Sequence, residues 1–419
     1  MTRIARHLLA LGVALAAAAC GSTASWPAPA GQTSAMAAAA VGGRLKLYVP
    51  IQPASGNATI AVLDGGLPAG GAARIATIDL GTTDFASLVA GDEGGIVAAS
   101  VTFPRIWFID PVADRVTKTL TLDASYGLWD FSDRTGYVTG VIVDSGRRRA
   151  WAGVWNGFAV LDLDRQEVVE RIVTAPSESF GYDPVRGLLL APFYLCDRTL
   201  AINPGLADPP PCDSFLAPDG VTVVTDGLNA IDVRTGAVFT FQDAAAANPA
   251  QPLGPVPDSC AVDRISGGAL VAAEGANAHV VVELAAASFD PEAGTFSAPA
   301  RQVAVSATTG VALVPDGSYG VAGAEFANAM GVYDRGPGTL LPGALPDRPD
   351  GHAWLNGGDP HVVFATTWNG RALGFVLASD HDWVARVDLA AFRALPHAGA
   401  ALTPVETAPA VTFLDARVP

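Results

Sequence analysis

The side chains best suited to chemistry are acids and histidines near the C-terminal end of the chain. Asp359 and His361 come just before an apolar segment, and Asp380, His381 and Asp382 form a short acidic turn further along. Converging carboxylates and imidazoles bind divalent cations or act as acid and base on a bound ester. Asp359 and His361 are therefore catalytic candidates, and all five residues are candidate ligands for calcium or zinc.

Two further acids, Glu274 and Glu325, each stand three residues before a turn asparagine, Asn277 and Asn328. Their equivalent positions would bring them to the same face as the acidic turn, which makes them candidate metal ligands too. Acids at turns usually cap backbone groups, however, and an acidic rim is expected at a net charge of −16. No hydrolase, zinc-protease, Walker, dinucleotide-binding or EF-hand motif occurs. The residues thus favour a binding protein over an enzyme, with no cofactor beyond a divalent cation.

The segments that would position these residues repeat along the chain. A short apolar stretch ending in an acid recurs about every 54 residues. The stretches are 60–64, 106–110, 158–162, 228–232, 279–283, 330–334 and 384–388. A turn-forming Asn or Asp usually stands six residues before the acid, so each unit reads as strand, turn, strand, capped turn. Such units, with Gly and Pro turns and almost no helical periodicity, predict an all-β fold built from propeller blades of four antiparallel strands.

The repeated acids, which we call the marker acids, predict the number of blades. Their count favours seven blades with an elaborated fourth one, whereas counting residues 196–203 as a further unit gives eight. The propeller is predicted as one domain over residues 44–419. Its last blade would be completed either by residues 410–415 or by residues 45–50 from the start of the domain. We interpret the aspartates among the marker acids as caps of the turn after the third strand.

One unit begins at Val141 and runs through Val-Asp, a turn, an apolar strand, Asn-Gly, Ala-Val-Leu-Asp and Val-Val-Glu-Arg-Ile. It resembles the bacterial YVTN-type, WD40-like propeller repeat, and the resemblance covers most of residues 44–419. The resemblance implies an extracytoplasmic seven-bladed propeller with recognition on one face of the ring. It implies no catalytic residues, since function depends on sites rather than on folds.

The N-terminus has the parts of a secretory signal peptide over residues 1–19: a basic start, an apolar run and small residues before Cys20. Residues 15–21 resemble the bacterial lipoprotein box, with Ala17 where leucine is usual. The resemblance implies that acyl chains on Cys20 hold the protein at a membrane. Ordinary cleavage would instead give a secreted protein. Residues 20–43, rich in Ala, Gly, Ser and Pro, are predicted to be a flexible tether.

Three cysteines remain if Cys20 is acylated, an odd number for an oxidising compartment. One disulfide and one free thiol are predicted among Cys196, Cys212 and Cys260. A bridge between the first two would close a Pro-rich loop, and Cys260 could replace either partner. None has C-x-x-C spacing, so all three are interpreted as structural.

The charge balance of 25 Lys and Arg against 41 Asp and Glu argues against a nucleic-acid partner. Together with the signal peptide and the propeller repeat, this absence of a nucleic-acid partner predicts a monomeric binding scaffold in the cell envelope, in the periplasm or at the outer membrane. Its ligand would be a protein, a peptide or a glycan, and only the lipid anchor would contact the membrane. The alternative is a lactonase-like propeller hydrolase with a divalent cation at the channel mouth.

Overall fold

The computed structural model describes residues 19–20, 33–51, 55–67, 74–123, 138–154, 157–174, 177, 179–193, 227–242, 257–274, 279–286, 289–290, 295–296, 301–305, 308–324, 327–357, 362–397 and 401–417. This part of the chain is almost entirely β-structure and forms a propeller of seven blades, each of four antiparallel strands. The predicted fold class is confirmed. No helix in these ranges has the length and apolar character to cross a membrane.

The blades follow one another along the chain. Blades 1 and 2 contain β2 Ala35–Val41, β3 Arg44–Ile51, β4 Thr59–Asp64, β5 Arg74–Asp79, β6 Leu88–Asp92, β7 Gly95–Ala99, β8 Arg105–Asp110 and β9 Arg115–Thr121. Blades 3 and 4 contain β10 Val138–Asp144, β11 Arg149–Val154, β12 Gly157–Asp162, β13 Glu167–Val173, β14 Gly181–Asp183, β15 Leu188–Phe193, β16 Gly227–Asp232 and β17 Val238–Gln242.

The remaining blades have two additions. Blades 5 to 7 contain β18 Pro257–Val262, β19 Ala269–Glu274, β20 His279–Leu284, β23 Arg301–Val305, β24 Thr308–Leu313, β25 Tyr319–Ala324, β26 Met330–Asp334, β27 Thr339–Gly343, β28 Val363–Trp368, β29 Arg371–Leu377, β30 Trp383–Asp388 and β31 Val411–Asp415. A small hairpin, β21 Phe289–Asp290 and β22 Thr295–Phe296, lies within blade 5. Helices α1 Leu389–Arg393 and α2 Pro404–Thr407, with a 3₁₀ turn at Ala408–Ala410, connect β30 to β31.

All seven predicted acid-ended stretches are the third strands of the seven blades. Blade 4 is the elaborated one, because residues 194–226 connect its second and third strands. The candidate eighth unit, residues 196–203, falls within that connection and lies outside the described residues. The last blade is completed by β31, as one of the two alternatives predicted. Residues 45–50 instead belong to β3, the second strand of blade 1.

Exposure rises from the first to the fourth strand of a blade. The first strands β6 and β14 are wholly buried, whereas β9 and β13, both fourth strands, are largely exposed or half-buried. First strands therefore lie next to the central channel and fourth strands form the outer rim.

The first strand of blade 1, β2, lies inside the segment predicted to be a tether. Ala35, Ala37, Ala38 and Ala39 are 0 % exposed, so the propeller begins before Arg44 and the predicted boundary is wrong for residues 35–43. An alanine-rich composition is typical of linkers, but small side chains also suit a strand crowded by its neighbours near the centre of a ring. A two-residue strand, β1 Ala19–Cys20, pairs in parallel with the start of β2.

The apolar core consists of layers between neighbouring blades. Trp107 packs with Tyr48 and Val62 between blades 1 and 2. Trp151 packs with Tyr182, at a ring-centroid distance of 5.0 Å, between blades 3 and 4. Burial of each large apolar side chain contributes about 2 kcal/mol, so these layers provide most of the attraction between blades.

The two ends of the ring differ in the connections that they carry. At one end, the hairpin end, turns such as 42–43 join first to second strands and turns such as 111–114 join third to fourth strands. At the other, the loop end, lie the connections between blades and those between second and third strands, such as 122–137 and 194–226. Most hairpin-end turns are two to six residues long, with longer connections at 65–73, 285–300 and 389–410, whereas the longest connection of a blade, 194–226, belongs to the loop end.

Each pair of neighbouring blades is joined at the hairpin end by a polar contact, which we call an inter-blade latch. From blades 1–2 round to blades 7–1, the latches are Lys46 with Asp114, Ser145 with Asp92, Tyr182 with Asp144, Arg186 with the Gly267 carbonyl, Arg335 with Asp263, Arg393 with Asp334 and Arg386 with the Gly65 carbonyl. The Lys46 Nζ to Asp114 Oδ2 distance is 2.6 Å, and the Tyr182 hydroxyl donates to Asp144 Oδ2 at 2.8 Å. The latches give buried carboxylates their partners.

Arg335→Gln should lower the free energy of unfolding by about 2 kcal/mol, because the carboxylate of Asp263 loses its guanidinium partner in a buried position. Urea denaturation of the purified chain measures this cost. Arg165→Gln is the matched control, since the 3.7 Å pair of Arg165 with Glu167 is exposed and should contribute less than about 1 kcal/mol. Equal costs for the two variants would contradict the role of the latches.

Candidate functional site

The predicted metal ligands that the structure describes lie at the loop end. The structure describes three of the predicted ligands and the backbone of a fourth: Asp380, His381, Asp382 and Glu274. The other three lie outside the described residues: Asp359, His361 and Glu325. Glu274 ends β19, where its backbone pairs with His279 of β20.

His381 joins blade 7 to blade 1. Its ring Nδ1 lies 2.9 Å from the carbonyl oxygen of Pro50 in β3. Because a carbonyl only accepts, Nδ1 carries the proton and donates it. The residue is 8 % exposed, and burial lowers the pKa of its ring. His381 is therefore held neutral as a contact between blades.

The two acids beside His381 have other partners. Asp380 pairs with Arg348 and accepts a hydrogen bond from the Asp382 amide at 3.1 Å. Asp382 is half-buried; burial raises the pKa of its carboxyl, and the charge of Asp380 raises it further. The described ranges contain no group of three His, Cys, Asp or Glu residues arranged to hold a metal ion. Among the described residues, Asp380 is thus engaged with Arg348 and His381 with Pro50.

The marker aspartates cap their turns, as predicted. In each blade that carries one, the carboxylate accepts a backbone N–H from the turn that follows, at 2.8 to 3.1 Å. The donor and acceptor pairs are Gly66 to Asp64, Val112 to Asp110, Asp164 to Asp162, Arg234 to Asp232, Gly336 to Asp334 and Ala391 to Asp388. Because the same turn cap recurs from blade to blade, we interpret the marker aspartates as structural residues.

Cys260 is a free thiol in β18, with 1 % of its surface exposed. Burial raises the pKa of the thiol to about 12, so the reactive thiolate is scarcely populated near neutral pH. Cys196 and Cys212 lie outside the described residues, and their pairing stays a prediction.

Sequence reasoning did not recognise a second set of acids, which ends the first strand or begins the first turn of four blades. They are Asp92, Asp144, Asp183 and Asp263, with 1 %, 2 %, 0 % and 1 % of their surfaces exposed. Like the marker acids they accept turn N–H groups, for example from Gly94 to Asp92 at 2.8 Å. The signal that would have found them is spacing, because Asp92 and Asp144 each stand 18 residues before the marker acid of their blade.

Arg264 lies among these acids at the mouth of the channel. It follows Asp263 in the first turn of blade 5, is 6 % exposed, and its charge interacts with Asp92, Glu93 and Asp144 of blades 2 and 3. Burial lowers the pKa of Arg264 to about 10, although the three carboxylates oppose that shift. Burial also raises the pKa of each of the three acids. We call Arg264, Asp92, Glu93 and Asp144 the channel-mouth cluster.

Comparison with known proteins supports the fold. No protein-family model and no curated protein matches the chain. A hypothetical selenium-binding protein from Sulfolobus tokodaii has a TM-score of 0.51 at 13% identity, over 88% of this chain and 90% of that one. Hsv2 from Kluyveromyces lactis has a TM-score of 0.46 at 10% identity, over 89% and 94% of the two chains. The likeness to the Sulfolobus structure concerns the propeller fold alone.

His381→Asn should reduce the loss of stability in mild acid. The folded-state pKa of His381 is depressed, so as pH falls below about 6.5 the unfolded chain is protonated first. The free energy of unfolding therefore falls from that pH down to the folded-state pKa. Asparagine tolerates the φ of 60° at this position and donates to Pro50 without titrating.

Urea denaturation at about pH 7.5 and about pH 5.5 measures this difference for wild type and variant. The exposed His352 provides the control His352→Asn, which should retain the wild-type loss. A wild-type loss in His381→Asn would mean that another group is responsible.

Proposed function

We propose that this propeller is a non-enzymatic binding scaffold that holds a protein, peptide or glycan partner at its loop end. The observation that carries the proposal is the position of the long connections. Three long connections begin and end at the loop end. Two of them join successive blades, 122–137 and 243–256, and the third joins two strands of blade 4, 194–226. Long loops on a rigid scaffold are where binding residues concentrate. Most turns of the hairpin end are short and carry caps and latches, and its two longest connections are 285–300 and 389–410.

The alternative is a lactonase-like hydrolase with calcium or zinc at the loop-end mouth of the channel, opposite the channel-mouth cluster. It would require Asp359 and His361 to act together with the acidic turn. Within that turn, His381 is bonded to Pro50 and Asp380 to Arg348. These contacts favour binding over catalysis as the function of the loop end.

The cellular location is part of the same proposal. The repeat resembles the bacterial YVTN type, and residues 15–21 resemble a lipoprotein box. Acyl chains on Cys20 would hold the monomeric propeller in the cell envelope, in the periplasm or at the outer membrane. Cleavage by ordinary signal peptidase would release it as a secreted protein.

Replacing residues 195–225 with a short Gly-Ser linker should abolish partner capture and leave the propeller folded. The measurement is chemical cross-linking of the tagged chain in a bacterial envelope fraction, with cross-linked residues identified by mass spectrometry. Cross-links should map to the loop end in the unaltered chain and disappear in the variant. The matched control replaces residues 287–300, which connect the third and fourth strands of blade 5 at the hairpin end, and should keep them.

Two measurements on the purified chain distinguish the binding function from the hydrolase function. Metal analysis should find no stoichiometric calcium or zinc, and a panel of lactones should show no metal-dependent turnover. One tightly held cation per chain, together with turnover that Asp359→Asn or His361→Ala abolishes, would overturn the scaffold proposal.

Cys20→Ser should abolish incorporation of labelled palmitate and move the protein from the membrane to the soluble fraction of a bacterial host. Fractionation after metabolic labelling measures both effects. Cys260→Ser is the control and should leave labelling unchanged, because Cys260 is buried in β18. Equal labelling in Cys20→Ser would exclude the lipid anchor at this position.

A further inference from the structure

The guanidinium of Arg264 is a buried charged group that has no hydrogen-bond partner in the part of the chain that the structure describes. Its Nε, Nη1 and Nη2 atoms are all buried and have no hydrogen-bond partner among the described residues, although the residue is only 6 % exposed. Five N–H donors of a buried, charged side chain without acceptors would cost several kcal/mol, so this arrangement favours an acceptor beyond the described residues. Arg264 is therefore distinct from the latch arginines, each of which has a partner.

The groups that face Arg264 come from the opposite side of the channel. Within the described residues, no carboxylate lies within the 4.0 Å of an ion pair with it, although Asp92, Glu93 and Asp144 are close enough to influence its charge. Asp144 is already engaged, since its Oδ2 accepts from the Tyr182 hydroxyl at 2.8 Å. Glu93 has a buried oxygen, Oε2, that lacks a partner. A gap thus separates an unpaired cation from an unpaired anion.

The turns that present these residues are held in place on both sides of the gap. Asp92 accepts from the amide of Gly94 at 2.8 Å and from the Ser145 hydroxyl, which fixes the turn carrying Glu93. Asp263, next to Arg264, accepts from the amide of Ile265 at 2.8 Å and from Arg335 of blade 6. The separation between the two charges is therefore set by the ring itself.

The signs of the charges, and the sides of the channel on which they stand, restrict the kind of ligand that this cluster can bind. A simple anion at Arg264 would also face three carboxylates, and a divalent cation at the acids would face the guanidinium, so each would meet repulsion within a low-dielectric mouth. A molecule with an anionic and a cationic end satisfies both sides. Guanidinium binds carboxylate through two parallel N–H···O bonds, and carboxylates accept from an ammonium.

We propose that the channel-mouth cluster binds a small zwitterion of the free α-amino acid class. The ligand carboxylate accepts from Arg264, and the ligand ammonium donates to Glu93 and to the free oxygen of Asp92. This site is at the hairpin end and is independent of the partner proposed for the loop end.

Thermal-shift screening of the full-length purified chain against the twenty common L-amino acids, followed by calorimetric titration, tests the proposal. At least one amino acid should bind about tenfold or more tightly than its analogue without the amino group, for example alanine against propionate. Arg264→Gln and Glu93→Gln should each weaken binding by about tenfold or more. Arg264→Lys, which keeps the charge but not the paired donors, should also weaken it.

Arg234→Gln and Glu167→Gln are matched controls, because both residues are exposed and outside the cluster, and they should bind as the unaltered chain does. Circular dichroism of every variant separates loss of binding from loss of fold. Equal affinity for the amino acid and its deaminated analogue would show a plain anion site and overturn the proposal. Absence of binding by all twenty, or binding that persists in Arg264→Gln, would overturn it as well.

Discussion

Closure of the ring without a shared sheet is the constraint on which this structure depends. Among the described strands, each blade forms its own sheet, and no strand of one blade pairs with a strand of the next. Apolar layers supply attraction between blades, but such contacts are non-directional and tolerate sliding. The latches add direction, because hydrogen bonds depend on angle and the donor from the next blade is defined, as where the Tyr182 hydroxyl donates to Asp144. Seven such contacts fix how each blade is rotated against its neighbour.

The latches also explain why the two ends of the ring have such different characters. A carboxylate buried at 1 or 2 % exposure needs several donors, and Asp92 and Asp263 obtain them from their own turn and from the next blade. The contacts between blades at the loop end include backbone hydrogen bonds, such as that from the Val138 amide to the Ser100 carbonyl at 3.3 Å, beside the contact of His381 with Pro50. Arg264 stands apart because it faces across the channel instead of along the ring.

The sequence predicted the repeating parts well and the long-range contacts poorly. The third strands were recognisable because an apolar run and a capping acid such as Asp162 are encoded within a few residues. The strand Ala35–Val41 was missed because alanine is equally common in linkers, and only the packing of blades distinguishes the two. The channel-mouth cluster was out of reach, since Arg264 and Asp92 come from blades far apart in sequence. The contact of His381 was out of reach for the same reason, because its partner Pro50 is 331 residues away.

The position of β31 has a consequence for the mechanics of the ring. Because the last blade is finished by the C-terminal strand and not by a strand from the N-terminal part, the chain ends do not interlock, and blades 7 and 1 meet as a seam. That seam is held at one end by Arg386 on the Gly65 carbonyl and at the other by His381 on the Pro50 carbonyl. Under mechanical load, blades 7 and 1 would separate from each other first, and the described sheets of all the blades would stay intact.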